Sequence, residues 1–265
     1  WCCTLYVHKD ANLEEVREVL SRPGHELHRS RKAVVRRVRD YVVKGAPFSF
    51  SGLLRHTFRR DRCRRAWRAA HHLRAHGVDV PAPIAFASCG LLGVVTKTAM
   101  VSEYLDGHAN VEQALLRTMR SGARPEAVAA FLAGLADCIN RLTACGAYHA
   151  DLSGKNIYTR DGRRFVLIDL DAVELDADYD DTRRLKNHVQ LYDSFCDFAS
   201  DRFLVPFIER MLTPQHDLRV WMPAVRRGQA ERRRKLAVAL ERQGKTREEI
   251  MGYSTDIGGG GGEST

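Results

Sequence analysis

Tyr148-His-Ala-Asp-Leu-Ser-Gly-Lys-Asn156, followed by Phe165-Val-Leu-Ile-Asp-Leu-Asp171, carries two acids and an amide at fixed offsets: Asp151, Asn156 five residues later and Asp169 thirteen after that. Between them, Asn156-Ile-Tyr-Thr159 and Arg164-Phe-Val-Leu-Ile168 flank a turn with Asp161-Gly162, a pattern that predicts a β-hairpin. The hairpin is expected to bring Asn156 and Asp169 together at its open end. Oxygen ligands from an Asp and an Asn suit a hard cation such as Mg²⁺, which keeps waters and shares its shell with phosphates. Asp151 is then left to act as a base.

This is the layout H-x-D-L-x-x-x-N of a kinase catalytic loop and of the metal-binding Asp that follows it, with His149, Asp151, Leu152 and Asn156 all in place. In its details the chain resembles the lipopolysaccharide core sugar kinases, the Kdo and heptose kinase family. The resemblance rests on Asp151-Leu-Ser-Gly-Lys-Asn156, on Ile168-Asp-Leu-Asp171 where protein kinases have Asp-Phe-Gly, and on Arg183-Arg-Leu-Lys-Asn-His-Val-Gln-Leu-Tyr-Asp-Ser194. Upstream, the helix from Trp67, the Leu73-Arg-Ala-His-Gly77 turn and the Pro81-Ala-Pro83 entry to a strand belong to it too. It covers roughly residues 27 to 212. It implies a Kdo or heptose of the lipid A-linked core as acceptor, presented at the cytoplasmic face of the bacterial inner membrane, with the protein cytoplasmic and peripheral to that membrane.

The chain has 265 residues, enough for one two-lobed catalytic domain or two small ones, and its 44% hydrophobic content is that of a soluble globular protein. No run of eighteen apolar residues is present, so no membrane span is expected. The start at Trp1, with no signal-like segment, is read as a trimmed reading frame. Seven cysteines at irregular spacing predict neither a disulfide framework nor paired metal knuckles, and read as reduced thiols, mostly in the core. A net charge of +9 favours an anionic partner. The arginines form no recognisable nucleic-acid module, so no nucleic acid is expected. An anionic cytoplasmic membrane face or a phosphorylated glycolipid fits.

Taken in order, Asn12-Leu-Glu-Glu15 predicts a capped accessory helix within residues 1–24. Strands follow at Ala33–Val38 and Tyr41–Lys44. Lys44, at a strand end, takes the position of the lysine that contacts the ATP phosphates. No glycine-rich motif precedes it; the loop His28-Arg-Ser-Arg-Lys32, with Ser30 as a phosphate contact, occupies that place. Gly45–Thr57 reads as a loop and Phe58–His76 as a helix, whose inward face offers Ala66 in place of the usual lysine-pairing Glu; Asp61 is the nearest acid. Strands at Ile84–Ala87 and Ala99–Leu105 follow, the second ending in a hinge where the backbone of Glu103 to Leu105 is expected to bind adenine. Helices are predicted at Val111–Met119 and from Pro125 to about Leu142, then at Thr182–Ser200, Arg202–Leu212 and Ala230–Arg242. Asp176 to Asp181 offers an acidic cluster, read as a cation site or as a solvated turn.

The expected fold is α+β, bilobal and protein-kinase-like: a small antiparallel-sheet ATP-binding lobe over 25–104, a larger helical catalytic lobe over 105–252 and a disordered tail over 253–265. The expected site has Asp151 and Lys155 as catalytic residues, Lys44, Ser30, Glu103 and Leu105 around ATP, and Asn156 and Asp169 on Mg²⁺. His149 is expected to be structural, bonding the backbone near Asp169. Two other readings share these residues: a kinase for a different small molecule or protein, and a pseudokinase acting as a binding module.

Overall fold

A computed structural model describes residues 2–30, 33–45, 62–91 and 94–241. Six strands form one antiparallel sheet: β1 (Cys2–Val7), β2 (His25–Arg29), β3 (Val34–Val38), β4 (Tyr41–Gly45), β5 (Pro83–Leu91) and β6 (Val94–Glu103), in the order β1-β5-β6-β4-β3-β2. The β-branched runs Val34-Val35 and Val42-Val43 explain the central hairpin, closed by Arg39 in the left-handed region at φ 53°. In β4, Lys44 stands opposite Val35 on one side and Met100 on the other.

The period-two alternation of strand side chains sorts the two faces of this sheet. On one lies α1 (Leu13–Ser21), whose Val16 and Val19 join Val38, Val43, Ala85 and Val101 in a buried cluster. The Asn12 side chain caps it by accepting from the backbone of Glu14 and Glu15. Lys44 therefore takes the other face, with Phe86 and Met100, and here α2 (Arg62–Ala75) packs through Cys63, Ala66, Ala69, Ala70 and Leu73. Ala66 is the inward residue expected where a Glu is usual. The N-terminal segment is more than a helix: β1 pairs with β5 along its whole length, and Cys3, opposite Cys89, is joined to it by a disulfide. That corrects the reading of all seven cysteines as reduced thiols. Bridged partners 86 residues apart leave no local spacing to read.

The chain divides into two compact units. The sheet unit comprises residues 1–108, 147–149 and 166–177, so it recruits β8 (Ala147–His149), β10 (Val166–Leu167) and β11 (Val173–Leu175) from the centre of the sequence. β8 and β11 pair antiparallel, with His149 opposite Val173, and the Leu167 N–H bonds the Asp79 carbonyl at 2.9 Å.

The second unit comprises 109–146, 150–165 and 178–265. It contains β7 (Ala109–Asn110), α3 (Val111–Arg120), α4 (Pro125–Ala144), β9 (Ile157–Thr159), α5 (Asp181–Phe195), α6 (Asp201–Glu209) and α7 (Leu218–Glu241). Helix α4 is long and apolar enough to cross a membrane, but its stripe Val128, Phe131, Leu132, Leu135, Ile139 and Leu142 is core. Pro125 starts it because a first helical residue needs no N–H. The Asp161-Gly162 turn forms as expected, Asp161 Oδ1 accepting from the backbone of Arg163 and Arg164. The tail over 253–265 lies outside the described residues.

Candidate active site

In the sheet unit the site grows from Lys44. Its ammonium lies 2.5 Å from Asp169 Oδ1 and also bonds Asp171 Oδ1. Arg62, opening α2, brings Nη2 within 2.6 Å of Asp171 Oδ2, close in distance but not aligned as a hydrogen bond. Asp171 is 1% exposed, so its charge depends on these two cations. Burial works against the charge on Lys44, yet the two carboxylates outweigh it and hold its pKa above the ordinary lysine value. Burial likewise opposes ionisation of Asp169, but Lys44 and the contact with Asp171 hold its carboxyl below the usual range. Asp169 sits in the left-handed region at φ 56°, ψ 44°, where Asp is one of the few residues besides glycine that is tolerated. The fully buried His149 places Nε2 3.0 Å from the Ile168 carbonyl, the structural contact expected of it, immediately before Asp169.

In the second unit the loop Ala150–Asn156 presents an exposed Asp151. Asn156 Nδ2 donates to the Asp151 carbonyl at 2.8 Å and to its Oδ2 at 3.1 Å, closing the loop on itself. Gly154 is required there, since a Cβ would stand 2.5 Å from Cγ of the buried Glu112. Lys155 follows in a short 3-10 turn, half-buried. With its nitrogen committed to Asp151, Asn156 offers a cation its Oδ1; Asp169 offers a carboxylate beside the ammonium of Lys44. Each of these oxygens, one neutral and one charged, is of the hard type that Mg²⁺ prefers.

Other expected contacts are placed more simply. Ser30 Oγ accepts from the Ala33 N–H at 3.1 Å and so closes its own turn. The Glu103 N–H bonds the Ala82 carbonyl at 3.0 Å, and the Tyr104 N–H the Asp40 carbonyl at 2.8 Å; the Leu105 carbonyl accepts from His108. Arg31, Lys32, the loop from residue 46 and Asp61 lie outside the described residues. Among the described residues no three His, Cys, Asp or Glu side chains converge as a metal site. In the acidic run, Asp180 caps α5 and Asp181 meets His216 at 2.8 Å. Two residues of this charged cluster had no role at the sequence level, Asp171 and Arg62. The available signal was an acid two residues beyond Asp169 in a chain whose helix lacks one.

A strand lysine held by acids in one unit and an Asp–Asn loop in the other are residue types that a phosphoryl-transferring enzyme of the kinase class uses. The chain belongs to the lipopolysaccharide kinase (Kdo/WaaP) family, whose model matches residues 14–220. Among solved structures it is similar to WaaP in complex with acyl carrier protein, at 18% identity and a TM-score of 0.65, over 88% of this chain and 97% of that one. Fainter likenesses are to the bifunctional kinase-methyltransferase WbdD (14% identity, TM-score 0.45, 74% of this chain and 42% of that one) and to a glucosamine kinase (14%, 0.46, 90% and 69%). Curated protein sequences give no match.

Proposed function

We propose that the chain transfers the γ-phosphoryl group of ATP to a hydroxyl of a Kdo or heptose residue in the lipopolysaccharide inner core. The observation that carries this is the Lys44–Asp169–Asp171 cluster in a member of the lipopolysaccharide kinase family. The reading takes the fold as bilobal and protein-kinase-like, with an ATP-binding lobe to about residue 104 and a catalytic lobe to about 252. Lys44 contacts the α- and β-phosphates, and Asp171 keeps its ammonium in place as the absent helix acid does elsewhere. Asp169 and Asn156 hold Mg²⁺, which when bound neutralises charge on the phosphates. Since the N–H groups of Glu103 and Tyr104 are spent within the fold, the hinge contact to adenine falls to Leu105.

Asp151 orients the acceptor hydroxyl and takes its proton as the oxygen attacks phosphorus; Lys155 offsets negative charge on the group in transit. The protein works as a peripheral protein at the cytoplasmic face of the inner membrane, where its net charge of +9 favours an anionic surface. Incubation with Mg-ATP and lipid A-linked core acceptors, followed by mass spectrometry, is expected to show one added phosphate on Kdo or heptose. Phosphate found only on another small molecule or on protein, or no turnover at all, contradicts the proposal.

A further inference from the structure

We propose that Gln190 is a positioning residue that grips the backbone on both sides of Asp151 and thereby fixes the direction of its carboxylate. The inference rests on the phosphotransferase reading above. Helix α5 carries Gln190 with its side chain buried, at 4% exposure. Its Oε1 accepts from the Leu152 N–H at 3.0 Å, and its Nε2 donates to the Ala150 carbonyl at 3.2 Å. One amide thus spans the residue before Asp151 and the residue after it. An amide meets both needs at any pH, because one position requires an acceptor and the other a donor.

The orientation of that amide is itself held. Oε1 also accepts from Nδ2 of Asn187 at 3.1 Å, and Tyr179 donates its hydroxyl to Oδ1 of Asn187 at 3.2 Å. Reversing the Gln190 amide sets its NH₂ against two donors. One turn further along α5, Ser194 Oγ accepts from the Gly154 N–H at 2.9 Å and donates to the Gln190 carbonyl at 3.0 Å. Three backbone groups of the loop 150–154 are therefore held by one helix, while the Asp151 side chain stays exposed. Small displacements of a reacting group, on the order of 1 Å, cost about 10²-fold in rate, so a grip placed here acts on turnover. Gln190 touches no reacting atom.

The test uses the full chain with Gln190→Leu and Gln190→Glu, and three readouts: exchange of the Leu152 amide hydrogen, Mg-ATP affinity, and kcat on the core acceptor. In Gln190→Leu, exchange at Leu152 is expected to rise and kcat to fall, each by about tenfold or more, with Mg-ATP affinity within about twofold of wild type. Gln190→Glu cannot donate to the Ala150 carbonyl while ionised but does so when protonated. Its kcat, relative to wild type at each pH, is expected to recover as pH falls through the carboxyl pKa, which burial raises. A purely structural residue gives no such recovery. Unchanged exchange at Leu152, or kcat and Mg-ATP affinity falling together, overturns the proposal. If Gln190→Leu does not fold, the pH profile of Gln190→Glu decides, and a flat relative profile overturns it. If wild type transfers no phosphate, the functional reading fails on its own, and unchanged exchange at Leu152 in Gln190→Leu still refutes the grip.

Discussion

Asp171 is the residue at which this chain departs furthest from the expected pattern. A kinase-like lysine ordinarily takes its second partner from a helix; here α2 presents Ala66, and the acid comes from beyond β10, two residues after Asp169. The consequence separates the two acids by experiment. Asp171→Asn leaves Lys44 its contact with Asp169 and lets the half-exposed Arg62 turn to water, so the cost in stability is expected to be about 1–3 kcal/mol. Mg-ATP affinity is expected to weaken through a less well-held Lys44. Asp169→Asn replaces a charged metal oxygen by a neutral one, and Mg²⁺-dependent ATP binding is expected to be abolished in a protein that still folds. Titration calorimetry with and without Mg²⁺, beside melting curves, checks both. Equal Mg-ATP affinity in wild type and Asp169→Asn contradicts the metal role.

The same residues show what the sequence made legible. Asp151, Asn156 and Asp169 stand out in the sequence because kinase chemistry calls for such residues at short, fixed offsets along one stretch. His149 was assigned its backbone role for the same reason. The pairing of Lys44 with Asp171 joins residues 127 positions apart, and the Cys3–Cys89 bridge spans 86, so no local period announces either. β1 escaped notice because a six-residue edge strand opening on two cysteines carries little alternation.

Among the described elements, α5 holds the loop 150–154 through Gln190 and Ser194, and its buried face also carries His188. Trp221 of α7 donates Nε1–H to His188 Nδ1 at 2.9 Å, which requires that nitrogen to be unprotonated. Burial pushes the His188 pKa down to about 3, with Arg184 and His216 adding to the shift. The folded chain therefore keeps the ring neutral, while the unfolded chain binds a proton below about pH 6.5. Stability is expected to fall as pH drops from about 6.5 toward about 3, with this one group contributing a slope of about 1.4 kcal/mol per pH unit. His188→Gln keeps an acceptor for Trp221 and does not titrate, so its denaturation free energies are expected to lack that slope. Identical pH dependence in wild type and His188→Gln refutes the assignment.

At the scale of the whole molecule, charge is the property that reaches farthest. Several arginines are matched by acids: Arg233 pairs with Asp193 and Asp197, Arg210 with Asp137 and Arg226 with Asp201. The net +9 that remains is what an anionic surface meets. Binding to vesicles containing anionic lipid is expected to weaken steadily with added salt, because contacts are screened beyond about 8 Å at physiological ionic strength. Equal binding to neutral and anionic vesicles, at any salt, contradicts peripheral attachment through charge.

The central claim is that Asp151 is the base of a sugar phosphotransfer, and the most direct measurement compares wild type with Asp151→Asn in phosphorylation of a lipid A-linked core acceptor. Asparagine keeps the shape of the side chain and removes the proton acceptor. Turnover is expected to fall by about 10² to 10⁴, the contribution of a positioned base, with melting temperature and Mg-ATP affinity little changed. A folded Asp151→Asn protein that turns over at the wild-type rate contradicts the claim.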